Sequence, residues 1–287
     1  MRGVCFPENS IFGFENILKI GVTLLELDVV FSKDKTAIIT HSLTINPFLT
    51  RGVDGQFVQE NIEISSLTVR QLKRYEIGKL ELDSEYGKHF LEQKQLDGIC
   101  MPALQELFEK MQQPDFEQAR LMVEIKSEPD CSSQDRENIA YLITKQIRDA
   151  ELLNKVLLQS FDWLLLGECK KKDPEVVNSF LTKKGYQNAS NNGQFLEVYA
   201  WDVAKRNDAF PEKIKELGGS FWCPYFKDIT LVRLLSAREN NLIVVVWTVN
   251  EPEDIETMVD FGVDDIITDY PHRVMSALKS KVKHWQN

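Results

Sequence analysis

No two cysteines in this chain stand at a spacing that would bind a metal or frame a disulfide scaffold. The five, at positions 5, 100, 131, 169 and 223, include no Cys-x-x-Cys pair, so a zinc site or disulfide framework has no support and reduced thiols are the simpler reading. Long apolar runs are also missing. None reaches the roughly 18 residues that a membrane span needs, and the first residues lack the charged-then-apolar layout of a secretion signal. No transmembrane segment is expected, and a cytoplasmic location is. Positive charge is scarce as well: 34 Lys and Arg against 44 Asp and Glu give a net charge of −10. Sequence-independent binding to nucleic acid draws its energy from basic groups that neutralise phosphates, so no nucleic-acid partner is expected.

What is present is enough apolar material for a large core. With 287 residues, of which 43% are apolar and 27% charged, one α/β barrel of about 250 residues is the economical architecture. Runs rich in Val, Ile and Leu read as strands buried on both faces of a parallel sheet. They are Thr23 to Phe31, Leu121 to Lys126, Lys155 to Phe161, Glu175 to Leu181, Gly219 to Pro224, Leu242 to Val249 and Asp264 to Asp269. Amphipathic stretches lie between them, including Pro102 to Met111, Asp135 to Ala150, Ile229 to Asn240 and Pro252 to Phe261. Such alternation predicts a TIM-type (β/α) barrel that forms one domain over residues 1–287.

A short run from Thr36 to His41 follows the first strand too closely for a parallel crossover and must fold back as a hairpin arm. With Asp34 and Lys35 as the turn, paired positions sum to 69 and His41 falls opposite Asp28. Residues 46–101 and 182–210 carry no strong strand signal and read as excursions above the barrel. Loops of that length in a compact domain are more often functional than accidental.

The first strand places Glu26 and Asp28 two residues apart, so both point to one side. The next parallel strand repeats the pattern with Glu124 and Lys126. Inward-facing carboxylates repel one another and lose hydration unless a cation neutralises them. Three from neighbouring strands form a hard oxygen site suited to Mg²⁺ or Ca²⁺, with positions left open for water and a substrate phosphate. Lys126 could hold a phosphate oxygen there. Taken singly, each acid is more simply a strand-end charge or an ion-pair partner. With an inward lysine and a hairpin histidine beside them, the metal reading gains the advantage. His41 could then serve as general acid or base. His89, His272 and His284 sit in polar or terminal contexts and read as surface residues.

Other predicted strands end in polar groups: Gln159-Ser160-Phe161, Trp247-Thr248-Val249-Asn250 and Thr268-Asp269. Barrel active sites are built at such ends. Trp247 could form an apolar wall for an alcohol group, or simply belong to the core.

In this order the motifs resemble those of the glycerophosphodiester phosphodiesterase family. The matching pieces are Pro7-Glu8-Asn9-Ser10 before a helix, the strand from Gly21 to Asp28, Ser32-Lys33-Asp34, His41, Leu49-Thr50-Arg51, Met101 to Leu104, Val123 to Lys126, Gln159 to Asp162, Trp247 to Asn250, and Gly262 to Pro271. The resemblance implies a barrel enzyme that hydrolyses glycerophosphodiesters to glycerol 3-phosphate and an alcohol. It also implies that Glu26, Asp28 and Glu124 hold the metal, that His41 is one of two acid/base histidines, and that Lys126 lies in the phosphate site.

The chain departs from this pattern at two places. The family begins with a strand ending in His-Arg-Gly, whereas this chain opens on Met1-Arg2-Gly3 with no strand before it. Seven parallel strands and a hairpin arm leave an eight-stranded barrel one strand short, so an upstream start or a truncated product with impaired activity is expected. The family more often has aspartate where Ser42 follows His41. A catalytically silent barrel that keeps a metal or phosphodiester site remains the alternative. A lyase that releases a cyclic phosphate is a third possibility.

Overall fold

The computed structural model describes residues 5–128, 130–184 and 210–285. Met1-Arg2-Gly3 and most of the second excursion lie outside the described residues. The chain divides into two compact units, Met1–Glu128 with Tyr141–Val156, and Pro129–Ala140 with Leu157–Asn287.

In the first unit, β1 (Leu24–Phe31) lies between an antiparallel partner, β2 (Ala37–Ile39), and a parallel one, β3 (Arg120–Ile125). Strand β1 alternates as its sequence dictates: Leu25, Leu27 and Val29 are fully buried on one face, and Glu26 and Asp28 stand on the other. The parallel register pairs Leu27 with Val123 and Asp28 with Glu124.

The hairpin register differs from the expected one. Val29 pairs with Ile39 and Phe31 with Ala37, and the Thr40 amide donates to the Asp28 carbonyl at 3.0 Å. Thr40, not His41, is therefore opposite Asp28. The reason is a three-residue loop. Ser32 and Thr36 close it, with the Ser32 amide donating to the Thr36 carbonyl at 3.0 Å, and Lys35 takes a left-handed conformation at φ 60°. Loops of this kind combine a tight turn with one left-handed residue and shift the pairing by one position. Asp34 reaches out of the loop and accepts from the Val69 amide at 3.1 Å, which fastens the turn to the following segment.

Residues 46–101 form a packed layer. Ile45, Ile64, Leu72 and Ile77 bury themselves against Val30, Ile38, Met101 and Ala103. Arg51 ties the layer together through Glu76 at 2.5 Å and Asp97 at 2.7 Å.

The second unit continues the β/α alternation, with parallel strands in the order β4 (Val156–Ser160), β5 (Val177–Thr182), β6 (Phe221–Pro224), β7 (Ile243–Val246) and β8 (Asp265–Ile266). All seven parallel strands read from the apolar runs are present, most of them shorter than expected. Helices Trp163–Lys172, Phe210–Glu216, Leu231–Glu239 and Pro252–Phe261 alternate with them.

Asp162 begins the helix after β4 by accepting from the Leu165 amide at 3.1 Å, and it accepts from Arg136 Nε at 2.7 Å. Both members of this ion pair are more than nine-tenths buried. Removing one partner strands a buried charge, which costs about 3–5 kcal/mol. Asp162→Ala is accordingly expected to destabilise the second unit by at least about 3 kcal/mol, measured by urea denaturation. A loss below about 1 kcal/mol would show that Arg136 has no need of its partner.

Candidate active site

The polar face of β1 and the end of β3 converge on one cluster. Because Asp28 is directly across from Glu124 and Glu26 is two residues away on the same face, single carboxylate oxygens from all three lie within 4.8 Å of one another. Oxygens that close together can share one divalent ion of the Mg²⁺ or Ca²⁺ kind, whose ligand distances are about 2.0–2.1 Å and 2.3–2.6 Å.

Lys126, just past β3, donates to Asp28 Oδ1 at 2.8 Å and to Glu124 Oε1 at 2.5 Å. The three carboxylates make an all-oxygen donor set, which suits a hard divalent cation.

The titration of the groups reports the same strain. Burial pushes the Glu124 carboxyl up to about 8, with Lys126 opposing and the charges of Asp28 and Glu26 adding to the rise. Burial also raises Glu26, and the charge of Asp28 adds to that. Asp28 is held well below the usual carboxylate range: burial would raise it, but Lys126 and then His41 outweigh that effect. Lys126 is held above its ordinary value by Glu124 and Asp28 in spite of its own burial.

His41 follows β2 on a half-buried segment. The slipped hairpin register does not remove it from the cluster, since its charge still stabilises ionised Asp28. Four of the sequence-derived residues, Glu26, Asp28, Glu124 and Lys126, therefore meet, and His41 acts on them electrostatically.

Trp247 belongs to the second unit, where it follows β7. Its ring meets Phe161 edge-on at 5.6 Å and Tyr225 at 5.5 Å, and its Nε1 donates to the Cys223 carbonyl at 2.8 Å. The ammonium of Lys183 stands 4.7 Å from the Tyr225 ring and 5.9 Å from the Trp247 ring.

The polar groups that follow β7 and β8 bond to one another. Asn250 donates to Asp269 Oδ2 at 2.8 Å and accepts from the Asp269 amide at 2.9 Å, and its carbonyl accepts from Arg273 at 2.7 Å. Those residues pin the chain after β7 to the chain after β8.

Glu8 was legible only as part of a motif, yet it is buried in the first unit beside His41. A short turn delivers it there. Asn9 adopts a left-handed conformation at φ 50°, Ser10 Oγ donates to the Pro7 carbonyl at 2.6 Å, and Ser10 Oγ then accepts from the Gly13 amide at 3.0 Å to begin helix Ile11–Lys19. A Cβ on Gly13 would lie 2.7 Å from the Pro7 carbonyl oxygen, so the turn requires glycine at that position.

Comparison with known proteins gives one consistent result. The model of the glycerophosphoryl diester phosphodiesterase family matches residues 3–273 and so runs through both units. A glycerophosphodiester phosphodiesterase of Caldanaerobacter subterraneus subsp. tengcongensis is 26% identical over 274 residues, covering 95% of this chain and 93% of the relative. The solved structure of a Silicibacter pomeroyi protein, provisionally named a glycerophosphoryl diester phosphodiesterase, superposes with a TM-score of 0.88 at 32% identity, covering 97% of this chain and 90% of that one. An Oleispira antarctica phosphodiesterase, solved with the product sn-glycerol-3-phosphate, shares the fold at a TM-score of 0.70 and 18% identity, covering 97% and 94% of the two chains. By the match along nearly its whole length, the chain belongs to the glycerophosphoryl diester phosphodiesterase family and has that family's (β/α) barrel fold.

Proposed function

We propose that the protein hydrolyses glycerophosphodiesters to glycerol 3-phosphate and an alcohol at the cluster of Glu26, Asp28 and Glu124, and that it needs a divalent cation, Mg²⁺ or Ca²⁺, to do so. The observation that carries this reading is the meeting of three carboxylates from β1 and β3 around one lysine. The names of the relatives, and the product bound by the Oleispira antarctica enzyme, support the choice of substrate.

A divalent ion held there supplies Lewis-acid polarisation of the phosphoryl group. The protein's own residues do the rest. Glu26, Asp28 and Glu124 are the proposed ligands. Lys126, already fixed by two acids, presents its ammonium to a phosphate oxygen and stabilises the charge that grows on it. His41 moves the proton, which the departing alcohol oxygen needs as water displaces it from phosphorus. Among the described residues no helix is long and apolar enough to cross a membrane, and we place the enzyme in the cytoplasm.

Assays with glycerophosphocholine should show activity that chelator abolishes and added Mg²⁺ or Ca²⁺ restores. His41→Ala is expected to slow turnover by about 10²–10⁴. Undiminished turnover in that variant would remove His41 from the mechanism, and undiminished turnover in chelator would remove the cation.

The acid cluster also sets a pH dependence. A cation that binds Glu124 must displace its proton, because ligands bind deprotonated. With that carboxyl pushed up to about 8, the proton is mostly present at neutral pH and is lost as pH rises through 8. Half-activation by the cation is therefore expected to need progressively less metal as pH rises from 6 towards 8, then level off. A half-activating concentration that stays constant across that interval would contradict the assignment of Glu124.

A further inference from the structure

Around Thr44 the chain is extended, and alternation sorts its side chains to two sides. The Ile45 amide donates to the Ile62 carbonyl at 2.8 Å and the Ile64 amide to the Leu43 carbonyl at 2.9 Å, with Thr44 bridged antiparallel to Glu63 between them. Ile45 is buried in the core that the 46–101 layer shares with β1 and β2, and Leu43 packs against it. Thr44 and Asn46 take the other side. With Ser42 and His41 just before them they line a cavity of about 370 Å³ within the first unit, inside the range of roughly 300–1,000 Å³ found for small-molecule sites.

This part of the wall offers hydrogen bonds in place of charge. Ser42 and Thr44 each bring a half-buried hydroxyl, which can both donate and accept. Asn46 Oδ1 already accepts from the Phe48 amide at 3.0 Å, so its NH₂ is the group left to donate. The two ionisable groups of the wall are Glu8 and His41, an acid and a base. When His41 carries the proton that a departing oxygen needs, their charges oppose one another and the wall as a whole favours neither sign. Pro47 and the half-exposed ring of Phe48 add apolar surface for carbon atoms.

Such a wall suits a neutral molecule with several hydroxyls, each able to donate and accept as Ser42 and Thr44 do. A trimethylammonium group can do neither. Brought against the same wall, it displaces water from the two hydroxyls and the amide and leaves them unpaired, and a site built to bond a hydroxyl discriminates against a ligand that lacks one. The place of His41 in the wall says which half of the diester enters, because a histidine that hands its proton to the departing oxygen stands on the side of the alcohol that leaves.

We propose that this cavity is the subsite for the leaving alcohol and that Ser42, Thr44 and Asn46 make it prefer polyols, such as glycerol, over alcohols whose only other polar group is a quaternary ammonium. The assignment to the leaving alcohol rests on the hydrolase reading above. The preference for polyols rests on the hydrogen-bonding wall and stands without it.

Saturation-transfer NMR on the full chain reads binding without turnover. Glycerol is expected to bind saturably and choline about tenfold more weakly. Thr44→Val keeps the shape of the side chain and removes its hydroxyl, and Ser42→Ala does the same at a position nearer the surface. Each is expected to weaken glycerol about tenfold. In turnover, the ratio of kcat/KM for glycerophosphoglycerol over glycerophosphocholine should exceed one and fall about tenfold in Thr44→Val. Choline bound as tightly as glycerol, or glycerol affinity that neither variant weakens, would overturn the preference, and continued turnover of both diesters would then leave the hydrolase reading standing. Selective glycerol binding with a ratio that neither variant moves would overturn the assignment to the leaving alcohol. Selective binding without turnover of either diester would uphold the preference and overturn the hydrolase reading.

Discussion

Everything at the site follows from the parallel register of β1 and β3. Pairing Asp28 with Glu124 sets two carboxylates side by side on a polar face that already carries Glu26. Burying like charges together is unfavourable, and a single lysine offsets only part of that cost. The strain shows as a Glu124 carboxyl pushed up to about 8 next to an Asp28 that Lys126 and His41 keep ionised. A stable fold gains nothing from such a cluster. Replacing it with well-packed apolar side chains would cost less, so its presence argues for a ligand that needs it.

Much of this was legible in the sequence because burial leaves a plain pattern. Strands covered on both faces read as runs of Val, Ile and Leu, and the two acids in β1 break such a run at a period of two. Repetition of the pattern at Glu124 on the next parallel strand is enough to bring the acids together. The hairpin register was not legible. It depends on Lys35 adopting a left-handed conformation that favours glycine, and nothing in Ser32-Lys33-Asp34-Lys35 marks a loop of three residues over one of two. His41 keeps its influence on Asp28 because the chain leaves the sheet after Ile39, where strict alternation no longer governs which way a side chain points.

Contacts between distant positions were hidden for a different reason. Glu8 and Tyr86 meet across 78 positions of sequence, and Arg51 reaches Glu76 and Asp97. No local periodicity encodes such pairs. The same limit hides the hydrogen bonds between Asn250 and Asp269, which in sequence read only as groups able to face a ligand. Polar residues at strand ends look alike in sequence whether they bind substrate or close the fold. The 46–101 segment gave weak signals because its core is shared: Ile64 and Leu72 pack on Val30 and Ile38 of the β1–β2 hairpin, so no stretch within it carries a complete apolar face.

The central claim is that Glu26, Asp28 and Glu124 together hold one divalent ion. Equilibrium dialysis against Mn²⁺, an ion that accepts the same oxygen ligands as Mg²⁺ and Ca²⁺, counts that ion directly. The account predicts one Mn²⁺ per chain at pH 8 and none in the triple variant Glu26→Gln, Asp28→Asn, Glu124→Gln. A parent protein that binds no ion, or a variant that binds it as well as the parent, would contradict it.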